Sequence, residues 1–295
     1  MENIDLTQTV STTTVSYLGT VGMLIISSIF ILMFIFFRRH KARIAPLLMG
    51  LLAYFLFGFV AYNIIFTLIT MIPGFEVSYK INTVFFTIVF LFVFVALYTV
   101  ARIISMKIMA PNYDRPGDVL IFGLGLSMLE SLLYAFSSIT LVVSAAGINS
   151  TGMAELFKDF SPEEVTSFYN SISLLFTAPP ILWMLLCIST IMDMILNCGL
   201  AVLTFGVVNK KIPTWWYFAT AGINFFVLLP FKLYDTSSTI GVIVPFAIKT
   251  ILFIAAIVVI FKVDTNNIGG MIRYSGKNNI KVSSGMPKFG KLSNK

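Results

Sequence analysis

The sequence contains a single histidine, His40, among its 295 residues, and this scarcity limits its chemistry before any pattern is read. One imidazole cannot supply a site that depends on several histidines, and His40 lies in a basic loop rather than within an apolar run. Cysteine is nearly as rare. Cys187 and Cys198 are the only two, and eleven residues of helix would hold them about 16 Å apart, beyond disulfide reach. Neither a disulfide framework nor a cysteine metal cluster is expected, and no metal or cofactor is assigned. Charge is also thin, with Asp, Glu, Lys and Arg at 11%, where a soluble domain carries about a quarter. Nucleotide-binding and haem signatures are missing, which argues against an ATP-driven or redox role. No internal repeat is visible.

What fills the chain instead is apolar. Hydrophobic residues make up 58% of it, and phenylalanine alone contributes 29 positions. Crossing the hydrocarbon core of a bilayer takes about 20 apolar residues of helix. Seven stretches meet or approach that length, at residues 15–37, 44–72, 81–104, 119–146, 181–208, 216–231 and 239–261. The sixth is the shortest. The expected fold is an all-α polytopic transmembrane bundle of about seven helices. Residues 1–14 form a polar lead-in with no basic residue, unlike the charged start of a signal peptide, so the first span reads as a retained anchor.

Charge placement predicts orientation. The net charge is +7. With the N-terminus outside, sixteen of the twenty Lys and Arg fall on the cytoplasmic side, among them Arg38, Arg39, Lys41, Arg43, Arg102, Lys107, Arg115, Lys210 and Lys211, and the rest in the tail. Only Lys80, Lys158 and Lys232 fall outside, and Lys249 lies within a span. Such a bias marks the cytoplasmic face. These basic residues border apolar runs, so they read as topology signals and contacts to anionic lipid, and no nucleic-acid partner is expected. The outer connection, residues 147–180, contains Ser161, Pro162 and Glu164, the pattern of a capped helix start, here read as a short helix on the membrane surface. Residues 262–295 read as a basic cytoplasmic tail too polar to fold from Asp264 onward.

Four ionisable residues fall inside the spans: Arg102, Glu130, Asp193 and Lys249. A charge at mid-bilayer costs at least about 2.5 kcal/mol, so each needs a reason. Glu130, Asp193 and Lys249 lie at similar depth, with Asn197 one helical turn from Asp193 on the same face. They are expected to form a cavity or ion-pair cluster. Arg102 is nearer the inner end of its span, where its long side chain is expected to snorkel.

The run Gly123-Leu-Gly125-Leu126-Ser127-Met-Leu-Glu130 is similar to a pattern Gly-x-Gly-His-Gly-x-x-Glu. Arg102 stands where that pattern's family has an arginine after two glutamates, and Asn197-Cys-Gly-Leu-Ala201 where it has histidine and then serine. On these segments the chain resembles the bacterial YhfC-type membrane proteins, grouped with CAAX-processing and bacteriocin-processing intramembrane glutamic proteases. The resemblance implies a multi-pass protein of a bacterial plasma membrane. It also implies a glutamate pair that activates water, with histidines stabilising the oxyanion. Here Tyr98 and Thr99 stand in place of the glutamates, Leu126 and Asn197 in place of histidines, and His40 lies at the inner surface.

The expectation is therefore a protease-like scaffold without catalysis, which binds a transmembrane segment or a partner membrane protein. Two alternatives remain open. One is an active intramembrane peptidase using Glu130 with Asp193 as an acid pair. The other is a transporter or ion pathway lined by Glu130, Asp193 and Lys249.

Overall fold

The computed structural model describes residues 7–235 and 238–272, and among them it is helical with no strand. Eleven helices follow in chain order. They are α1 (Thr12–Arg38), α2 (Ile44–Thr70), α3 (Phe75–Ile81), α4 (Thr83–Met109), α5 (Pro116–Thr151), α6 (Met153–Leu156), α7 (Pro162–Ile172), α8 (Leu174–Thr177), α9 (Ile181–Val208), α10 (Trp216–Lys232) and α11 (Thr239–Val263). A π-helical turn, Asp264–Ile268, prolongs α11.

Six of these helices are long and apolar enough to cross a membrane. The sixth expected span is present as α10, but its 17 residues reach only about 26 Å, short of a hydrocarbon core of about 30 Å. The long helices run alternately up and down. Their short connections at residues 39–43, 110–115 and 209–215 gather at one end, which carries Arg38, Arg39, Lys41, Arg43, Arg115, Lys210 and Lys211 and is called the basic end below. The opposite end is the distal end.

The longest helix, α5, and the most enclosed one, α9, form the spine. In a bilayer helices gain little from leaving lipid, so they associate through close packing of small residues. Glycines on α5 do this work. Gly125 meets the backbone of Leu47 and Gly50 on α2, and a methyl group on Gly123 would sit 2.6 Å from the Asn197 carbonyl oxygen on α9. At the basic end Gly117 packs on the backbone of His40, and the fully buried Asp118 accepts from the backbone N–H of Arg43 at 2.8 Å and from its guanidinium. Outward faces are apolar, as lipid requires: Met23, Phe30 and Phe34 on α1, Phe92 on α4, and Ile240, Ile251 and Val258 on α11.

Midway along α2 the backbone widens into a π-helical stretch, Tyr54–Ala61. Such insertions redirect a helix. Up to Gly58, α2 buries Leu47, Gly50, Ala53 and Tyr54; beyond it no residue of Tyr62–Thr70 is buried, nor any of α3. The distal half of the α2–α4 hairpin therefore stands off the spine. It is held to itself by aromatic contacts such as Tyr62–Phe94 and Phe66–Phe90.

At the distal end the cap read at Ser161 is present. Glu164 N–H donates to Ser161 Oγ at 3.3 Å, and Ser161 N–H donates to the Glu164 carboxylate at 2.8 Å. The lead-in to α1 is tied there as well, with Val10 and Asn149 exchanging two hydrogen bonds of 2.8 and 2.9 Å.

Ordered structure runs further than the composition of the tail suggests. Asp264 is buried and accepts from the N–H groups of Met271 and Ile272 at 2.9 and 3.0 Å, while Ile268 and Met271 enter the core. The Ile268 side chain fills the space left by Gly206. Two apolar residues and one satisfied carboxylate suffice for this, and a window averaged over the polar tail conceals them. The remainder of that tail, 273–295, lies outside the described residues.

Candidate functional site

The polar residues of the membrane interior converge on α9. Ser189, Asp193 and Asn197 are spaced four apart and line one face of it. Each rung of this ladder takes a side chain from another helix. Lys249 of α11 donates to Ser189 Oγ at 2.5 Å and to Asp193 Oδ2 at 2.8 Å, and is itself 2% exposed. Arg102 of α4 donates through Nη2 to Asn197 Oδ1 at 2.8 Å. Asn197 in turn donates to the Asp193 carbonyl oxygen at 3.0 Å.

The Arg102 side chain does not snorkel. It is 0% exposed, because α4 turns this face toward α9 rather than toward the basic end. Its Nε and Nη1 have no partner among the described residues, and neither does Asp193 Oδ1.

Glu130 lies apart from the ladder. It projects from α5 where the α2–α4 hairpin leaves the spine, and it is exposed. The Tyr98 hydroxyl lies 2.8 Å from the Leu126 carbonyl oxygen and 3.2 Å from Glu130 Oε2, so its one proton serves one acceptor at a time. Tyr54 packs edge-on against Tyr98, 5.7 Å between ring centres. Asp193, Lys249 and Lys232 are all near enough for their charges to act on Glu130. Glu130 is thus an exposed carboxylate on the side of the bundle, with Tyr98 of α4 beside it and Tyr54 of α2 packed on Tyr98.

The structure thus brings together four of the five residues singled out in the sequence through α9, namely Arg102, Asp193, Asn197 and Lys249, with Glu130 beside them. Two members were missed. Ser189 continues the four-residue spacing of Asp193 and Asn197 by one turn, so the same rule would have found it. Lys232 was counted only as a basic residue outside the spans, and the shortness of α10, which ends on it, was the available signal.

Comparison with protein-family models matches residues 23–251 to the family described as YhfC intramembrane metalloprotease. Comparisons with curated proteins and with solved structures give no match. The description implies a metal, which in a catalytic zinc site needs three protein ligands and an open position. The donors around Glu130 and the α9 ladder do not fit that need. Among the described residues they supply two carboxylates, Glu130 and Asp193; Asp193 Oδ2 is held by the Lys249 ammonium, and His40 lies at the basic end between α1 and α2. Among the described residues no three His, Cys, Asp or Glu side chains gather.

The family match nevertheless takes in Glu130, its tyrosine neighbours and the whole ladder, from Tyr54 to Lys249, and most of the chain. The protein belongs to the YhfC intramembrane metalloprotease family.

Proposed function

We propose that this chain retains the membrane scaffold of its family without water-activating chemistry, and that its exposed side around Glu130 holds a transmembrane segment of another membrane protein. The observation that carries this reading is the Asp193–Lys249 pair. An acid pair works when one carboxyl holds a proton and the other lacks it. Asp193 instead faces an ammonium at 2.8 Å, which Ser189 also anchors. Glu130 is left as a lone acid beside a tyrosine. The same pairing weakens an ion pathway through these three residues, since a locked pair blocks the polar route along α9. The exposed Glu130 and the stand-off of the α2–α4 hairpin favour a site entered sideways from the bilayer.

In this reading the basic end faces the cytoplasm of a bacterium, following the positive-inside rule, and its arginines and lysines rest on anionic headgroups.

The test compares new N-termini in membranes from cells carrying the wild type, Glu130→Ala, or the lipid-facing control Phe136→Ala. The expected outcome is three identical sets. Cleavage products lost only in Glu130→Ala would overturn the non-catalytic reading. A photoreactive residue at Leu133, exposed one turn beyond Glu130, is expected to capture a membrane protein that the same group at Phe30 does not.

A further inference from the structure

The loop that joins α1 to α2 is built around the buried side chain of His40. Its backbone rests on the start of α5, where Gly117 lies against His40 and Ala42. The Ala42 N–H donates back to the Phe36 carbonyl oxygen at 3.1 Å, closing a tight turn. Lys41, between them, sits in the left-handed region at φ 52°, a conformation that L side chains adopt only when their surroundings hold them there. The next residue is fixed independently, since the buried Asp118 accepts from the backbone N–H and the guanidinium of Arg43.

What holds the turn on its other side is the imidazole. It is 6% exposed and lies edge-on to Phe36, with 6.1 Å between ring centres. Its Nδ1 is buried and has no hydrogen-bond partner among the described residues. A neutral ring tolerates this, because it can carry its proton on Nε2 and leave Nδ1 bare. In the imidazolium both nitrogens are donors, so an N–H would point into a place with nothing to accept it, which a buried donor does not tolerate.

The charged groups around the loop do not offset that penalty. Arg38, Arg39, Lys41, Arg43, Lys107 and Arg115 are all cations. The acids of these segments, Asp114 and Asp118, both pair with Arg43, and Asp264 at the same end holds the amides of Met271 and Ile272. A second positive charge beside Arg39 therefore adds repulsion to the lost burial.

We propose that His40 is an acid-sensitive latch of the α1–α2 loop. A proton taken up at Nδ1 sends the ring into water and lifts residues 39–42 off Gly117, while Arg43 stays fixed to Asp118. Lys41 then relaxes from its left-handed turn, and the start of α5 opens to solvent. The latch senses acidity on the side of the membrane that the basic end faces, and it does not depend on the scaffold reading.

The test follows amide exchange over residues 39–43 of the full-length protein in nanodiscs between pH 7.5 and 5, expressed as protection so that intrinsic pH dependence drops out. Ala42 is expected to lose protection about 10-fold per pH unit below the folded His40 value, the limit for one coupled proton, while Arg43 keeps its own. As the sole histidine, His40 gives one imidazole in nitrogen NMR, which should show a bare Nδ1 at pH 7.5 and titrate together with the loss at Ala42. His40→Phe keeps an apolar ring in place and should leave Ala42 protected throughout. Protection of Ala42 that persists in the wild type after the ring has titrated would overturn the latch. An equal loss in His40→Phe would overturn it as well, by assigning the opening to other groups. The wild-type measurement decides even where the variant fails to fold.

Discussion

The Asp193–Lys249 pair shows how a single contact can decide between chemistries. The buried Lys249 ammonium is held by Ser189 and by Asp193, whose side chain is 28% exposed, and removing Asp193 leaves that ammonium buried and uncompensated. Asp193→Asn is therefore expected to cost about 3–5 kcal/mol, measured as a drop in the unfolding midpoint in detergent. The double variant Asp193→Asn with Lys249→Met should recover most of the loss, since a buried pair replaced together is often near neutral. A purely additive result would show that the two residues do not act as a pair. This cluster was legible because mid-membrane charge is costly wherever it occurs, and Glu130, Asp193 and Lys249 stood out on that ground alone. Arg102 was misjudged for a related reason. Distance along one helix gives depth, but not which neighbour the side chain faces.

His40 offers a second test at the same scale. Burial, with the Arg39 charge beside it, holds its imidazole below the ordinary histidine range, and its Nδ1 has no partner among the described residues. The folded protein thus favours the neutral ring, whereas the unfolded chain takes up a proton near pH 6.5. Stability from this site is complete above that value and declines as pH falls through it toward the lower folded value. Thermal unfolding followed from pH 7.5 to 5 should show the decline, and His40→Gln should flatten that part of the profile. An unchanged slope in the variant would assign the acid sensitivity to other groups.

Among the elements, those governed by local rules were readable and those governed by packing were not. Hydropathy placed every long helix to within a few residues, and the Ser161–Glu164 spacing located the start of α7. Replacing Ser161 with Ala should cost about 1 kcal/mol, seen as faster amide exchange over residues 162–172 with little change elsewhere. The π-helical stretch of α2 carries no such signature. Its sequence is apolar throughout, and the widened turn serves to carry the chain away from α5. The turn after α11 was hidden similarly, since Ile268 and Met271 matter only because Gly206 leaves room for Ile268. The glycines of α5 make a sharper test. Gly123→Ala would bring a methyl group 2.6 Å from the Asn197 carbonyl oxygen, forcing α5 and α9 apart, and should cost about 1–3 kcal/mol. Gly19→Ala, where nothing lies near, is the matched control.

For the molecule as a whole, the bundle was readable as a class, while the exposure of Glu130 on its side emerged only from the assembled helices. Orientation is tested directly with cysteines. Cys187 and Cys198 are both buried, so the native protein should give no background with a membrane-impermeant maleimide. Cysteine at Lys210 should react only from the cytoplasmic side and cysteine at Asp159 only from the other. Labelling of both from one side would refute the assigned topology.

The glycine seams along α5 also divide the bundle by stiffness. Where backbone rests on backbone, at Gly125 with Leu47 and at Gly123 with Asn197, there are no long side chains to change rotamer and absorb a displacement. This half of the molecule behaves as a rigid block. The distal part of α2 and α3 buries no residue and meets α4 through aromatic rings, so it supplies the compliance. Changes in bilayer thickness or lateral pressure should therefore move the distal part of α2 and α3 while leaving the Asp193–Lys249 distance unchanged, so access to Glu130 becomes a property set by the surrounding membrane.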